Sequence, residues 1–242
     1  MRAVVALHSV DTWGSPISTS PSALVALLDA IEGAGLSVVP LSSLLAHPGR
    51  PDRIAITFDD GLASVAEEAL PILASRGLTA AVFVTTSRVG SDNAWPGQPP
   101  AIPRQACMGW GELEALVEAG WEVGSHTVHH PRLVGLGDAV LDAELGGAKE
   151  TLESRLGPPA GALFAAPYGA VDARVLAAVG RHHRWGLGTR LAVLDPSIDH
   201  PLDLPRLDGR SLTGPGAWTL GTGAFGTWLR VRRAIHRPTV PR

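Results

Sequence analysis

The chain has 242 residues, 45 % apolar and 18 % charged, which supports one sizeable core and excludes a disordered chain. A formal net charge of −3 provides no electrostatic footprint for nucleic acid, and none is expected as a partner. Cys107 is the single cysteine, so an intramolecular disulfide, a CxxC redox pair and a cysteine-based zinc site are all excluded.

The first apolar run, Ala3–His8, has the length of a strand. It is too short for the apolar segment of a signal peptide, and no cleavage-type small-residue site follows. No stretch approaches the roughly 18 apolar residues of a transmembrane helix, so a soluble, cytoplasmic protein is expected. A helix opens at Ser20-Pro21, a cap residue followed by proline at the first turn. Leu24, Leu27, Leu28 and Ile31 continue it at helical spacing, and Gly33 and Gly35 end it. Short strands are expected over Ser37–Pro40 and Ile54–Phe58, the second stopping abruptly at Asp59-Asp60-Gly61. A helix over Ala63–Ser75 closes at Gly77, and Thr79–Val84 is a β-branched strand.

Residues 87–107 lack periodicity and read as a long loop beside the site. Helices follow over Trp110–Ala119, Asp138–Leu156 and near Asp172–Val179, interleaved with strands at Trp121–Ser125, Ala162–Ala165 and Trp185–Gly188. Strands alternating with helices predict an α/β fold with a mostly parallel sheet, as a closed or nearly closed β/α barrel. No repeat or linker interrupts the chain, so 1–242 reads as a single domain with 211–242 a C-terminal helical tail. That tail mixes Trp218, Phe225, Trp228, Leu229 and Ile235 with Arg230, Arg232, Arg233 and Arg237. Such a pattern suits a terminal helix on the barrel wall or peripheral contact with a membrane surface.

Two clusters carry chemistry. In Thr57-Phe58-Asp59-Asp60-Gly61, two carboxylates end an apolar strand, where neither is stable buried and unpaired. A metal bound by one, with the other free as a base, resolves the conflict; simple capping of the next helix is the alternative. In Gly124-Ser125-His126-Thr127-Val128-His129-His130-Pro131, His126 and His130 are four apart, and a turn after the strand can aim both at one point. His129 points away on this reading. One carboxylate and two imidazoles leave coordination positions open, as a catalytic metal requires.

These two segments resemble the first two signature motifs of the polysaccharide deacetylases, the NodB-homology or carbohydrate esterase family 4 enzymes. Leu24–Leu44, Leu62–Val84 and Trp110–Leu133 resemble the corresponding family segments, and the likeness covers most of residues 3–210. It implies a distorted (β/α) barrel, with Asp59 as catalytic base and Asp60, His126 and His130 as ligands of a divalent metal. Zinc is the first expectation, and the Asp-His-His set also accepts Co2+ or Ni2+.

The third family motif is an arginine-containing segment ending in Pro-Tyr-Gly. Here it is Phe164-Ala165-Ala166-Pro167-Tyr168-Gly169, with Ala165 in the arginine's place, similar to the FAYPYG-like branch that includes poly-N-acetylglucosamine deacetylases. Arg206, in Leu204-Pro205-Arg206-Leu207-Asp208, is the candidate to orient Asp59 instead. Tyr168 is expected to offer its backbone N–H to an oxyanion. The family's late Leu-His pair, whose His is the general acid, has no counterpart after residue 200. His236 is a weak substitute, and His8, at the end of a strand that neighbours the last strand in a barrel, is the preferred one.

The expected reaction is metal-dependent hydrolysis of an N-acetyl group on an amino sugar or polysaccharide. A different C–N bond in a cyclic amide, ureide or formamide, a small N-acetyl sugar precursor, and a non-catalytic carbohydrate-binding role are the rival readings. The substrate is accordingly a carbohydrate or a small amide.

Overall fold

The computed structural model describes residues 1–212, 220 and 222–235. His236 and Trp218 lie outside the described residues. Among the described residues, ten strands form: β1 (Arg2–Leu7), β2 (Ser9–Val10), β3 (Ser18–Thr19), β4 (Ser37–Val38), β5 (Arg53–Phe58), β6 (Ala81–Val84), β7 (Glu122–Ser125), β8 (Leu163–Ala165), β9 (Trp185–Leu187) and β10 (Leu207–Asp208). Apart from the small β2–β3 pair, they build one parallel sheet in the order β10-β1-β5-β6-β7-β8-β9. β1 runs along the whole of β5, from Arg2 opposite Arg53 to Leu7 opposite Phe58. The other edge of β5 is shared: β4 takes its first half at Arg53–Ile54 and β6 its second half at Thr57–Phe58.

The sheet curls into a distorted (β/α) barrel because a short late segment reaches both of its ends. Leu204 bridges Leu187 beside β9, and its N–H donates to the Gly186 carbonyl at 2.9 Å. Three residues on, β10 pairs with β1 at Val5 and Ala6.

The two-residue period of a strand sorts the core. Val4, Ala55, Ala81, Phe83, Leu163, Ala165 and Leu187 pack together on one face. Their neighbours Ala3, Val5, Leu7, Ile54, Ile56 and Phe58 join a separate layer with the surrounding helices. Each large side chain buried this way contributes on the order of 1.5–3 kcal/mol.

The helices are α1 (Pro21–Gly33), α2 (Leu41–Ala46), α3 (Leu70–Ala74), α4 (Trp110–Glu118), α5 (Asp138–Leu156), α6 (Ala173–His182), α7 (Gly209–Leu212) and α8 (Ala224–Ile235). α1 starts as its sequence requires: the Ser20 side chain accepts the Ala23 N–H at 3.1 Å, a cap that stabilises by about 1 kcal/mol. The helix expected over Ala63–Ser75 begins instead as a π-helical turn, Val65–Ala69, before α3. Pro71 explains this, since it lacks an N–H and its ring crowds the carbonyl four residues back. The Leu70 N–H accordingly reaches the Val65 carbonyl. The α2 turn has no periodic signal in the sequence, and α6 runs three residues past its expected end at Val179. In α8, Phe225 and Leu229 are buried in the outer apolar layer. Among the described residues, no helix is long and apolar enough to cross a membrane.

Candidate active site

The C-terminal strand ends, where barrels of this kind gather their reactive groups, hold four of the segments singled out by chemistry. Asp59 follows β5, His126 follows β7, Ala165 ends β8 and His8 follows β1. Asp60, His126 and His130 are all buried, and one ligand atom from each falls within 4.8 Å of the others. Asp60 Oδ1 is 3.5 Å from His126 Nε2 and 3.4 Å from His130 Nε2.

The donors are oriented by their other contacts. His126 Nδ1 donates to the Ala165 carbonyl at 2.7 Å, which leaves the Nε2 lone pair facing Asp60, the arrangement of a metal-binding imidazole. Burial, and then neighbouring His130, push the His126 pKa down to about 4, so the ring is neutral and able to donate its lone pair. Burial acts to raise the Asp60 carboxyl, but the hydrogen bond from His130, with further charge effects from the neighbouring histidines, lowers it below the usual carboxylate range. Three buried donors, a carboxylate and two imidazoles, converging within 4.8 Å of one another fit a divalent ion.

The backbone is bent to bring these groups together. Asp60, Thr127, His130 and Tyr168 all have positive φ, at 73°, 68°, 62° and 59°. Each such residue costs on the order of 1–3 kcal/mol, and such strain concentrates at functional sites. Thr127 is β-branched and so the most strained of the four. Its hydroxyl compensates by accepting the His130 N–H at 2.9 Å. Gly124 permits the close strand spacing beneath: a Cβ there would stand 2.5 Å from the Phe83 ring and 2.9 Å from the Leu163 carbonyl.

Asp59 has a different partner. Arg206 Nη1 and Nη2 donate to its two carboxylate oxygens at 2.7 and 2.8 Å. Arg206 Nε donates to the Gly188 carbonyl at 2.9 Å, and the Thr57 hydroxyl near Nη1 donates to the Val5 carbonyl at 2.8 Å. Both members of the pair are buried. Burial would raise the Asp59 carboxyl, and the Arg206 guanidinium overrides it, holding the group well below the usual carboxylate range. The guanidinium missing from position 165 is therefore supplied by residue 206.

His8 sits beside Asp59, since Leu7 is opposite Phe58 and the Asp59 N–H donates to the Leu7 carbonyl at 2.9 Å. It is half-buried, and close enough that a positive charge on its ring would favour the ionised forms of Asp59 and Asp60. The Tyr168 ring meets His130 edge-on at 4.8 Å, with the Arg132 guanidinium 5.5 Å from the ring centre.

Two residues that the sequence did not single out complete the surroundings. Trp95, from the 87–107 loop, is buried and stacks on His130 at 4.1 Å. Glu144 of α5, also buried, accepts the Val128 and His129 N–H groups at 3.0 and 2.9 Å and the His129 ring at 2.7 Å. His129 thus faces away from the other two histidines and ties their loop to α5. A lone glutamate on the Leu141–Leu145–Ala148–Leu152 face was the available sign for Glu144; Trp95 had none in its loop.

The solved structure of IcaB from Ammonifex degensii has a similar fold, with a TM-score of 0.76 at 23 % identity over 90 % of this chain and 96 % of that one. The Streptococcus pyogenes deacetylase PplD in complex with acetate gives 0.73 at 17 % identity over 87 % and 96 %. The BpsB deacetylase domain from Bordetella bronchiseptica gives 0.69 at 18 % over 85 % and 94 %. No curated protein matches the sequence. The family model for polysaccharide deacetylase matches residues 46–183, more than half of the chain and the stretch that contributes Asp59, Asp60, His126, His130 and Tyr168. The chain belongs to the polysaccharide deacetylase family.

Proposed function

We propose that this protein is a metal-dependent hydrolase that removes N-acetyl groups from an amino sugar within an oligo- or polysaccharide. The observation that carries this reading is the convergence of Asp60, His126 and His130 within 4.8 Å, directly beside a carboxylate clamped by Arg206. Asp60, His126 and His130 would hold the ion, with Zn2+ the expected one. When bound, a divalent ion supplies Lewis-acid polarisation at the acetyl carbonyl and lowers the pKa of water.

The chain's own groups divide the remaining work. Asp59 takes the proton of the attacking water; the Arg206 pair keeps it ionised, and each carboxylate oxygen retains acceptor capacity. The Tyr168 backbone N–H donates to the developing oxyanion. His8, at the strand end beside Asp59, gives its proton to the departing amine. The products are acetate and a free amino sugar.

The test is deacetylation of N-acetylglucosamine oligomers, alongside acetylated nucleotide sugars and cyclic imides, with metal content measured on the same protein. Release of acetate from the oligomers is expected, and Asp59→Asn is expected to abolish it with metal content near stoichiometric. Full activity in that variant overturns the base assignment. Hydrolysis of the cyclic imides alone overturns the substrate assignment.

A further inference from the structure

A cleft of about 320 Å³ opens next to the site, lined by Asp11, Trp13, Glu67, Glu68 and Gln105. Val10 and Ala63 also border it, two residues beyond His8 and three beyond Asp60, so its inner wall is within about 10 Å of the metal ligand along the chain. Among the described residues, no basic side chain lines it.

Two polar groups in the wall are unsatisfied. Gln105 is 7 % exposed and its Nε2 has no hydrogen-bond partner. Asp11 spends one carboxylate oxygen on the Trp13 N–H at 2.8 Å, and its other oxygen is buried and unpartnered. A buried amide donor left without a partner is costly unless a ligand meets it. Over these groups Trp13 is 63 % exposed, an indole face of the kind that receives sugar rings and cations.

Resting on the deacetylase reading, we infer that this cleft binds a de-N-acetylated glucosamine unit of the substrate chain, one neighbouring the unit under attack. The reaction itself creates the recognisable feature. Hydrolysis of the acetamide C–N bond adds water across it, giving acetate and a primary amine that is protonated at neutral pH. A neutral acetamide becomes a cation, and the Asp11, Glu67 and Glu68 carboxylates select the second over the first. The Gln105 amide donates to a sugar hydroxyl, and Trp13 stacks on the ring. The enzyme on this account prefers chains it has already begun to deacetylate.

The experiment is calorimetric titration of a fully de-N-acetylated glucosamine tetramer, which has no acetyl group to lose, into the wild-type protein. The same titration is made with Glu67→Gln/Glu68→Gln, with Trp13→Ala and with Asp59→Asn. The carboxylate and tryptophan variants are expected to bind about tenfold more weakly, one strong contact's worth. Wild-type affinity is expected to fall as salt is raised, and Asp59→Asn is expected to bind as the wild type does.

Equal affinity in wild type and in the Glu67→Gln/Glu68→Gln variant overturns the inference, even when N-acetylglucosamine oligomers are hydrolysed. So does a fully N-acetylated tetramer that binds Asp59→Asn as tightly as the free-amine tetramer does. Charge-dependent tetramer binding without hydrolysis of any N-acetyl sugar keeps the amine site and removes the proposed reaction.

Discussion

Arg206 grips Asp59 through both carboxylate oxygens, at 2.7 and 2.8 Å, across 147 positions of sequence. Because both side chains are buried, removing one strands the other. Arg206→Ala is expected to destabilise the fold by about 3–5 kcal/mol, measured by urea unfolding. Arg206→Lys keeps the charge and loses the fork; it is expected to stay folded while kcat falls about a hundredfold. With the forked hydrogen bonds gone, the lysine charge alone opposes the effect of burial on Asp59, so the acid limb of the kcat/KM profile is expected to move to higher pH. An unmoved limb would detach Arg206 from the base.

Glu144 offers a sharper separation of roles. It holds the Val128 and His129 N–H groups, and with them the loop between His126 and His130, the two proposed ligands. Glu144→Ala is expected to weaken zinc binding about 10–100-fold, the usual effect of losing a group that orients ligands. His129→Ala, which removes a ring facing away from Asp60, is expected to leave zinc affinity within about twofold. Competition titration with a zinc chelator reads both.

His183, which packs behind β8, makes stability pH-dependent. Its ring is buried, donates to the Gly161 carbonyl at 2.8 Å and stacks on Phe164. Burial pushes its pKa down to about 4 from the ordinary 6.5. The unfolded chain therefore binds this proton first. The neutral ring's contribution is complete above about pH 6.5 and is lost as pH falls towards 4, up to about 3 kcal/mol at ~1.4 kcal/mol per pH unit. His183→Gln is expected to flatten that part of the stability profile, checked by denaturant melts between pH 7 and 4.

Gly124→Ala tests the tight spacing under the histidine loop. The added methyl meets the Phe83 ring and the Leu163 carbonyl, and the backbone oxygen cannot rotate away. A loss of about 1–3 kcal/mol is expected from overpacking, read as a lower urea midpoint with an unchanged slope.

What the sequence disclosed follows the range of the forces involved. Asp59, Asp60, His126 and His130 were legible because each cluster is local, ends a strand and makes poor electrostatic sense without a ligand. The barrel was legible through alternating apolar runs, and the segments expected as β5, β7 and α5 match within a residue or so. Trp95 was not legible, because its contact with His130 depends on a loop path that no local pattern encodes; Glu144 showed only as a glutamate on an apolar helix face, with nothing to say that it meets His129. The π-helical turn at Val65–Ala69 was missed for a related reason: Pro71 announces a disturbance of the helix without saying which widened turn absorbs it. Residue 206 fell between these cases, suggested by the vacancy at Ala165 and located only by the way the sheet closes.

That closure also ties the Asp59 carboxylate to the end of the sheet. The segment from Leu204 to Asp208 joins β9 to β1, and Arg206 is carried on it. A chain that ends at α6 already contains Asp60, His126 and His130, the side chains proposed to hold a metal, but not the guanidinium that pairs with Asp59. The Asp59 carboxylate gains its partner only when the segment that follows β9 is in place. On the proposed reaction, a chain cut before Leu204 would keep Asp60, His126 and His130 but leave the base without the guanidinium that holds it.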